Sequence, residues 1–160
     1  MIQRKIKYGY VLALFSALLS LSSCGDTAIY DNAHNFENRV WSVGDTARFS
    51  VDVTDTLQAY DFVITLRNTT RYPWSNLWVH IASTAPDGVT SKVAQRIQIA
   101  RPDGSWIGRV SGTIVESKLH YRTTTFPLPG TYTFAISQAT QEEQIDEVLD
   151  ISLRIEPSMR

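Results

Sequence analysis

Leu149-Asp150-Ile151-Ser152-Leu153-Arg154-Ile155-Glu156 places an aliphatic side chain at every second position and a polar or charged one between. Successive side chains of an extended strand point to opposite faces, so this alternation predicts a strand with one face buried and the other wet. A helix would scatter the same four aliphatics around its circumference. The period recurs upstream. Ala47, Phe49, Val51 and Val53 alternate with Thr46, Arg48, Ser50 and Asp52, and Tyr60, Phe62, Ile64 and Leu66 alternate with Asp61, Thr65 and Arg67. These two runs read as an antiparallel pair joined through residues 54–57. Leu77, Val79 and Ile81 predict a third strand with Trp78 and His80 on its other face. Val93, Gln95, Ile97 and Ile99 predict a fourth, and Tyr132, Phe134 and Ile136 one more.

Turn chemistry separates these runs. Gly44-Asp45, Pro86-Asp87-Gly88, Pro102-Asp103-Gly104 and Pro127-Leu128-Pro129-Gly130 bring together the residues that reverse a chain. Between them, residues 106–110 and 113–116 read as short strands and 119–124 as an extended segment. The acidic, amide-rich stretch 141–147 reads as a solvated turn or a single helical turn. No long segment has helical periodicity. Seven to nine short strands with regular turn signals predict an all-β chain forming a single β-sandwich, immunoglobulin-like or jelly-roll in type. The last strand lies near the C-terminus and is a candidate sheet edge, open to strand addition by a partner.

The N-terminus has a different logic. Arg4, Lys5 and Lys7 precede an apolar run from Tyr8 to Leu21, the two leading parts of an export signal. The run is too short to span a bilayer, which takes about 20 apolar residues. It ends in Leu21-Ser22-Ser23-Cys24, an order that resembles a lipobox, in which the cysteine is acylated and the chain is cut before it. Three segments follow: a lipoprotein signal peptide at 1–23, an acylated N-terminus with a tether and leading arm at 24–44, and the sandwich at 45–160. Within the arm, residues 28–31 read as one strand, and Tyr30, Phe36, Val40 and Trp41 as anchors on the domain. Cys24 is the only cysteine, so no disulfide is available. Its acyl chains, at about 0.8 kcal/mol per buried methylene, would hold the protein to membrane lipid.

Loss of the signal leaves 12 basic against 16 acidic residues, a net charge of about −4. Phosphate binding needs a positive field, so nucleic acid is excluded as a partner. A content of 43% apolar and 19% charged residues excludes a disordered tail.

Several stretches together resemble one family. They are the lipobox cysteine, Tyr30 and Trp41, then Arg71-Tyr72-Pro73-Trp74-Ser75-Asn76-Leu77, Asp103-Gly104-Ser105-Trp106-Ile107-Gly108, Phe126-Pro127 and Gly130-Thr131-Tyr132-Thr133-Phe134. This order is similar to the gliding motility lipoprotein GldH family over nearly the whole mature chain. One departure is Ala139-Thr140-Gln141 after Gln138, where the family pattern has a Met-Arg pair. The resemblance implies a non-enzymatic lipoprotein that supports gliding motility and the associated protein secretion, acting on other envelope proteins, with no catalytic residues and no cofactor. No cluster of acids follows Cys24 of the kind that marks surface-exported lipoproteins. The expected place is therefore the periplasmic face of the outer membrane.

Candidate sites are few. Arg71, Tyr72, Trp74, Asn76 and Trp106 form a candidate partner or ligand surface. The plainer alternative is that Pro73 fixes a turn, Tyr72 and Trp74 cover the end of the sandwich, and Trp106 packs beneath the Asp103-Gly104 turn. His34, His80 and His120 lack metal-ligand spacing, so no metal is called for. Asp52, Asp61 and Asp150 fall at outward, solvated positions, and no Gly-x-Ser-x-Gly elbow is present. The alternative function is carbohydrate binding or nutrient capture, since exposed Trp and Tyr rings stack on sugars. A row of exposed indoles at Trp74, Trp78 and Trp106 would favour it, and buried indoles the accessory role.

Overall fold

The computed structural model describes residues 27–158, so the signal peptide and Cys24 lie outside the described residues. The strands are β1 (Tyr30–Asn35), β2 (Val40–Ser42), β3 (Ala47–Val53), β4 (Ala59–Thr69), β5 (Asn76–Thr84), β6 (Thr90–Gln98), β7 (Arg109–Ser111), β8 (Ile114–Thr125), β9 (Gly130–Gln138), β10 (Gln144–Asp146) and β11 (Val148–Pro157). A 3₁₀ turn at Glu37–Arg39 is the only helical element among the described residues.

All pairings are antiparallel. One sheet has the order β1-β11-β4-β8-β7, the other β3-β9-β5-β6, and β2 pairs with β10 in a short separate ladder. The long strands nest in pairs: β1 with β11, β3 with β9, β4 with β8, and β5 with β6. The chain is thus one long hairpin, centred on the turn at Pro86-Asp87-Gly88 and rolled up so that successive pairs fall in alternate sheets. That winding is a jelly roll, which decides between the two sandwich types.

Four expectations about the strands need correction. β3 and β4 are not a hairpin: each has an apolar face, and residues 54–58 carry the chain across the end of the sandwich so that those faces oppose each other from different sheets. β11 is not an edge, because β1 pairs along one side and β4 along the other. The arm's strand is six residues, Tyr30–Asn35, instead of 28–31, because β11 offers it a free ladder. The stretch 141–147 forms no helical turn; Gln144–Asp146 pairs with β2 instead. The extended segment expected at 119–124 is borne out, as part of the twelve-residue β8.

The core shows why alternation was a sound guide. In β3, Ala47, Phe49, Val51 and Val53 are all at most 2% exposed, and Leu66, Ile151, Leu153 and Ile155 meet them from the opposite sheet. Each such aliphatic or aromatic side chain contributes about 1.5–3 kcal/mol on burial. Phe126 contacts Tyr60, Phe62 and Tyr132 with ring centroids 5.4, 5.4 and 4.6 Å away, closing one end. Trp41 stacks on Phe36 at 4.4 Å and donates its indole N–H to the Asp45 carbonyl at 2.8 Å, closing the other.

Asp150 departs from its expected solvated position. It is buried, and Arg67 Nε donates to both of its carboxylate oxygens at 2.9 Å while Nη2 lies 2.7 Å from Oδ2. A bulge between Val148 and Asp150 interrupts the alternation, and the 3₁₀ turn packs on β11. Asp52 is exposed and Asp61 half-buried, as strand faces turned outward allow.

Candidate functional site

The two ends of the sandwich differ. The described chain begins at the near end, where residues 54–58, 85–89 and 126–129 form the loops. The far end is built from residues 70–75, 99–108 and 139–143, and it holds the surface expected from sequence.

Its loops are pinned. The Thr69 hydroxyl donates to Glu147 at 2.6 Å and accepts the Arg71 N–H at 3.1 Å, while Arg71 Nη2 donates to the other Glu147 oxygen at 2.8 Å. The Thr69 hydroxyl, with Arg39 and Arg71 nearby, holds the Glu147 carboxyl below the usual carboxylate range. Ser75 O accepts the N–H groups of both Ile99 and Ala100 at 2.9 Å. On the opposite wall, Gln138 Oε1 accepts from the Thr140 N–H and hydroxyl at 3.1 and 2.6 Å, and its amide donates to Glu142 O at 2.8 Å. The Ala139 N–H donates to Trp78 O at 2.8 Å. Between these walls lies a depression of about 230 Å³.

The sequence candidates divide. Tyr72, Trp74 and Asn76 line the depression together with Trp78, Thr140, Gln141, Glu142 and Ile145. Tyr72 is buried, its hydroxyl donates to Asn76 O at 3.2 Å, and burial pushes the phenol well above its ordinary pKa. Trp74 and Trp78 are 54% and 45% exposed. Asn76 donates its amide to the Ser75 hydroxyl at 3.3 Å. Arg71 is committed to Glu147 and is not among the lining residues.

Trp106 is half-buried against the core and bridges Ala100. The turn before it is held by Asp103, whose carboxylate accepts the Ser105 N–H and hydroxyl at 2.9 and 2.7 Å and is thereby kept below the usual carboxylate range. Gly108 closes that motif because its backbone lies against the Glu116 carbonyl, where a Cβ would collide. The indoles therefore give neither an exposed row of three nor a buried set. Sequence reasoning placed Trp78 on the outer face of β5 but left it off the surface; its position between the inward Leu77 and Val79 was the available signal.

Chemically, the depression offers two exposed indoles, the amides of Asn76 and Gln141 and the Glu142 carboxylate. Among the described residues no group of three or more His, Cys, Asp or Glu is gathered in a way that could hold a metal ion. His34 instead bonds Asp45 at 2.8 Å. A larger cleft of about 390 Å³ opens at the near end and includes none of the sequence candidates.

Comparison with known proteins places these features. Residues 28–155 match the family model described as GldH lipoprotein. A Flavobacterium johnsoniae protein named gliding motility lipoprotein GldH is 30% identical, covering 95% of this chain and 98% of its own. A Christiangramia forsetii protein, named as a homolog of it, is 27% identical with 94% and 96% covered. Solved structures similar to the chain include a carbohydrate-binding module specific for non-crystalline cellulose, at 7% identity, TM-score 0.43 and coverage of 85% and 75%. The VP2 subviral particle of infectious bursal disease virus gives 13% identity, TM-score 0.39 and coverage of 84% and 34%.

Proposed function

Starting from the family to which this chain belongs, the GldH lipoproteins, we propose that it is an accessory protein of a gliding-motility apparatus and its associated secretion system, acting by binding other envelope proteins and without chemistry of its own. The family makes it a motility-associated lipoprotein of the envelope. Acylated Cys24 is the anchor in this reading, the outer membrane its place, and the periplasmic face its side. Protease treatment of intact cells that removed the domain would overturn that side.

The observation that carries the reading is the pair of exposed indoles, Trp74 and Trp78, on walls already fixed by Glu147 and Gln138. Binding energy at protein interfaces concentrates in such large, rigid aromatic anchors, and fixed walls spare the cost of ordering loops. Affinity capture of the acylated protein from gently solubilised envelopes, with partners identified by mass spectrometry, tests it. Trp74→Ala with Trp78→Ala should weaken recovery of motility or secretion components by about thirtyfold, corresponding to some 2 kcal/mol. Unchanged recovery would sink the far end as the interface.

A second reading has its own observation. The same two indoles stand beside Asn76, Gln141 and Glu142, groups that bond sugar hydroxyls. Binding to a glycan panel that Trp74→Ala abolishes, with no protein recovered, would favour carbohydrate capture.

A further inference from the structure

Phe126 seals only part of the near end of the sandwich, and a cleft stays open beside it. Along β6, Ile97 and Val93 share the inward face, pairing with Leu77 and Ile81, yet Ile97 is 1% exposed and Val93 52%. Along β8, Ser117 and Tyr121 lie beside the inward Leu66 and Phe62, and they are 3% and 36% exposed. The edge strand β6 and the part of β8 beyond its short pairing with β7 thus lose their cover in the same direction. The sheets diverge toward the near end and leave a wedge of about 390 Å³ between β6 and β8, running down to Phe62, Phe126 and Phe134. That is within the size range of ligand sites.

Its chemistry is narrow. No charged side chain lines it, and the polar side chains that do are hydroxyls, such as Ser83, Ser91 and Thr124. A sugar or an anion would find no charge or amide there, whereas a hydrocarbon chain would find aliphatic and aromatic walls.

The position of the wedge names the source of such a chain. β1 enters the fold at this end, where the Ile29 N–H bonds Ile155 O at 2.9 Å. Cys24 precedes Ile29 by five residues, which span about 17 Å at most. The loops at this end also carry apolar tips: Leu57 is 91% exposed, Val89 66% and Leu128 37%.

We propose that the cleft between β6 and β8 receives an acyl chain of a bilayer lipid, taken from the membrane against which Cys24 holds the near end; the placement rests on the anchor reading above. The tips of residues 54–58, 85–89 and 126–129 meet the lipid interface. The wedge shields one hydrocarbon chain from water while its headgroup stays outside.

The test uses the acylated protein in vesicles of phosphatidylethanolamine and phosphatidylglycerol that contain a phospholipid with a photoactivatable diazirine midway along one acyl chain. Irradiation should place adducts on residues 89–93 and 121–125. Ser91→Trp, which fills the mouth from an exposed position on an edge strand, should lower them about tenfold, equivalent to about 1.4 kcal/mol. Its flotation with vesicles and its thermal unfolding should not change. Adducts confined to Leu57 and Leu128, or insensitive to Ser91→Trp, overturn the proposal. A parallel arm presents the same lipid in micelles to Cys24→Ala; cleft adducts seen there but not with the vesicle-bound acylated protein would show that the protein's own anchor fills the wedge, which also overturns it. Failure of the acylated preparation to float counts against anchoring alone. The micelle arm then decides the cleft: adducts at the same residues support it and their absence overturns it.

Discussion

The near end and the far end close the same pair of sheets by opposite means. At the near end the seal is one ring, Phe126, wedged among Tyr60, Phe62 and Tyr132, with an uncharged cleft beside it. At the far end the loops are tied by charge and amide: Glu147 with Thr69 and Arg71, Arg67 with Asp150, and Gln138 with Thr140. All four tryptophans belong to the far half, at Trp41, Trp74, Trp78 and Trp106, while the large exposed apolar side chains of the near loops are aliphatic, at Leu57, Val89 and Leu128, beside Asp55 and Asp87. A jelly roll gathers its loops at two ends, so each end is free to acquire its own chemistry without disturbing the shared core.

The contrast breaks most readily at Phe126. Phe126→Ala should cost about 3 kcal/mol, since the lost ring leaves space that the flanking cleft already prevents from collapsing. Urea unfolding would measure it; a loss under 1 kcal/mol would mean that the ring is not the seal. Arg67→Ala comes next, at about 2–3 kcal/mol. The carboxylate it strands is buried, and the exposed side of the guanidinium moderates the loss. If the far end is tied by charge as described, Arg67→Met, which keeps bulk without charge, should cost nearly as much as Arg67→Ala.

The smallest effect is the acid response of Glu147. Its folded pKa is lowered, chiefly by the Thr69 hydroxyl. The stabilisation is therefore fully present above the ordinary glutamate pKa and is lost as pH falls through the lowered folded value. Acidification should loosen residues 70–75 before the near loops, visible as amide shifts in an NMR titration. Simultaneous shifts at both ends would remove the contrast.

How far the sequence revealed this follows from what alternation encodes. It reports which side chains share a face, so the inner faces of β3, β5 and β9 were legible residue by residue. It says nothing about which strand lies alongside, so the separation of β3 from β4 and the interior place of β11 were hidden. Asp150 was misread because a bulge interrupts the alternation that the argument assumed. At the far end, Tyr72, Trp74 and Asn76 were found because they crowd into one short loop, while Trp78 sits in a strand and looked like any outward residue. The cleft left only a faint trace, in that Ser83 and Ser91 occupy inward positions where a closed core would hold larger apolar side chains.

The first strand has a mechanical consequence. β1 runs antiparallel to β11 from Tyr30 opposite Ile155 to Asn35 opposite Asp150, and its leading residue points out of the near end. A tension applied through the residues before it, and resisted by anything gripping the far end, acts along the strand axis. The rungs of the β1–β11 ladder then share the load in shear instead of parting one after another as they would if peeled. A protein held at one end and pulled at the other meets that force along the direction in which its outermost strand is hardest to remove.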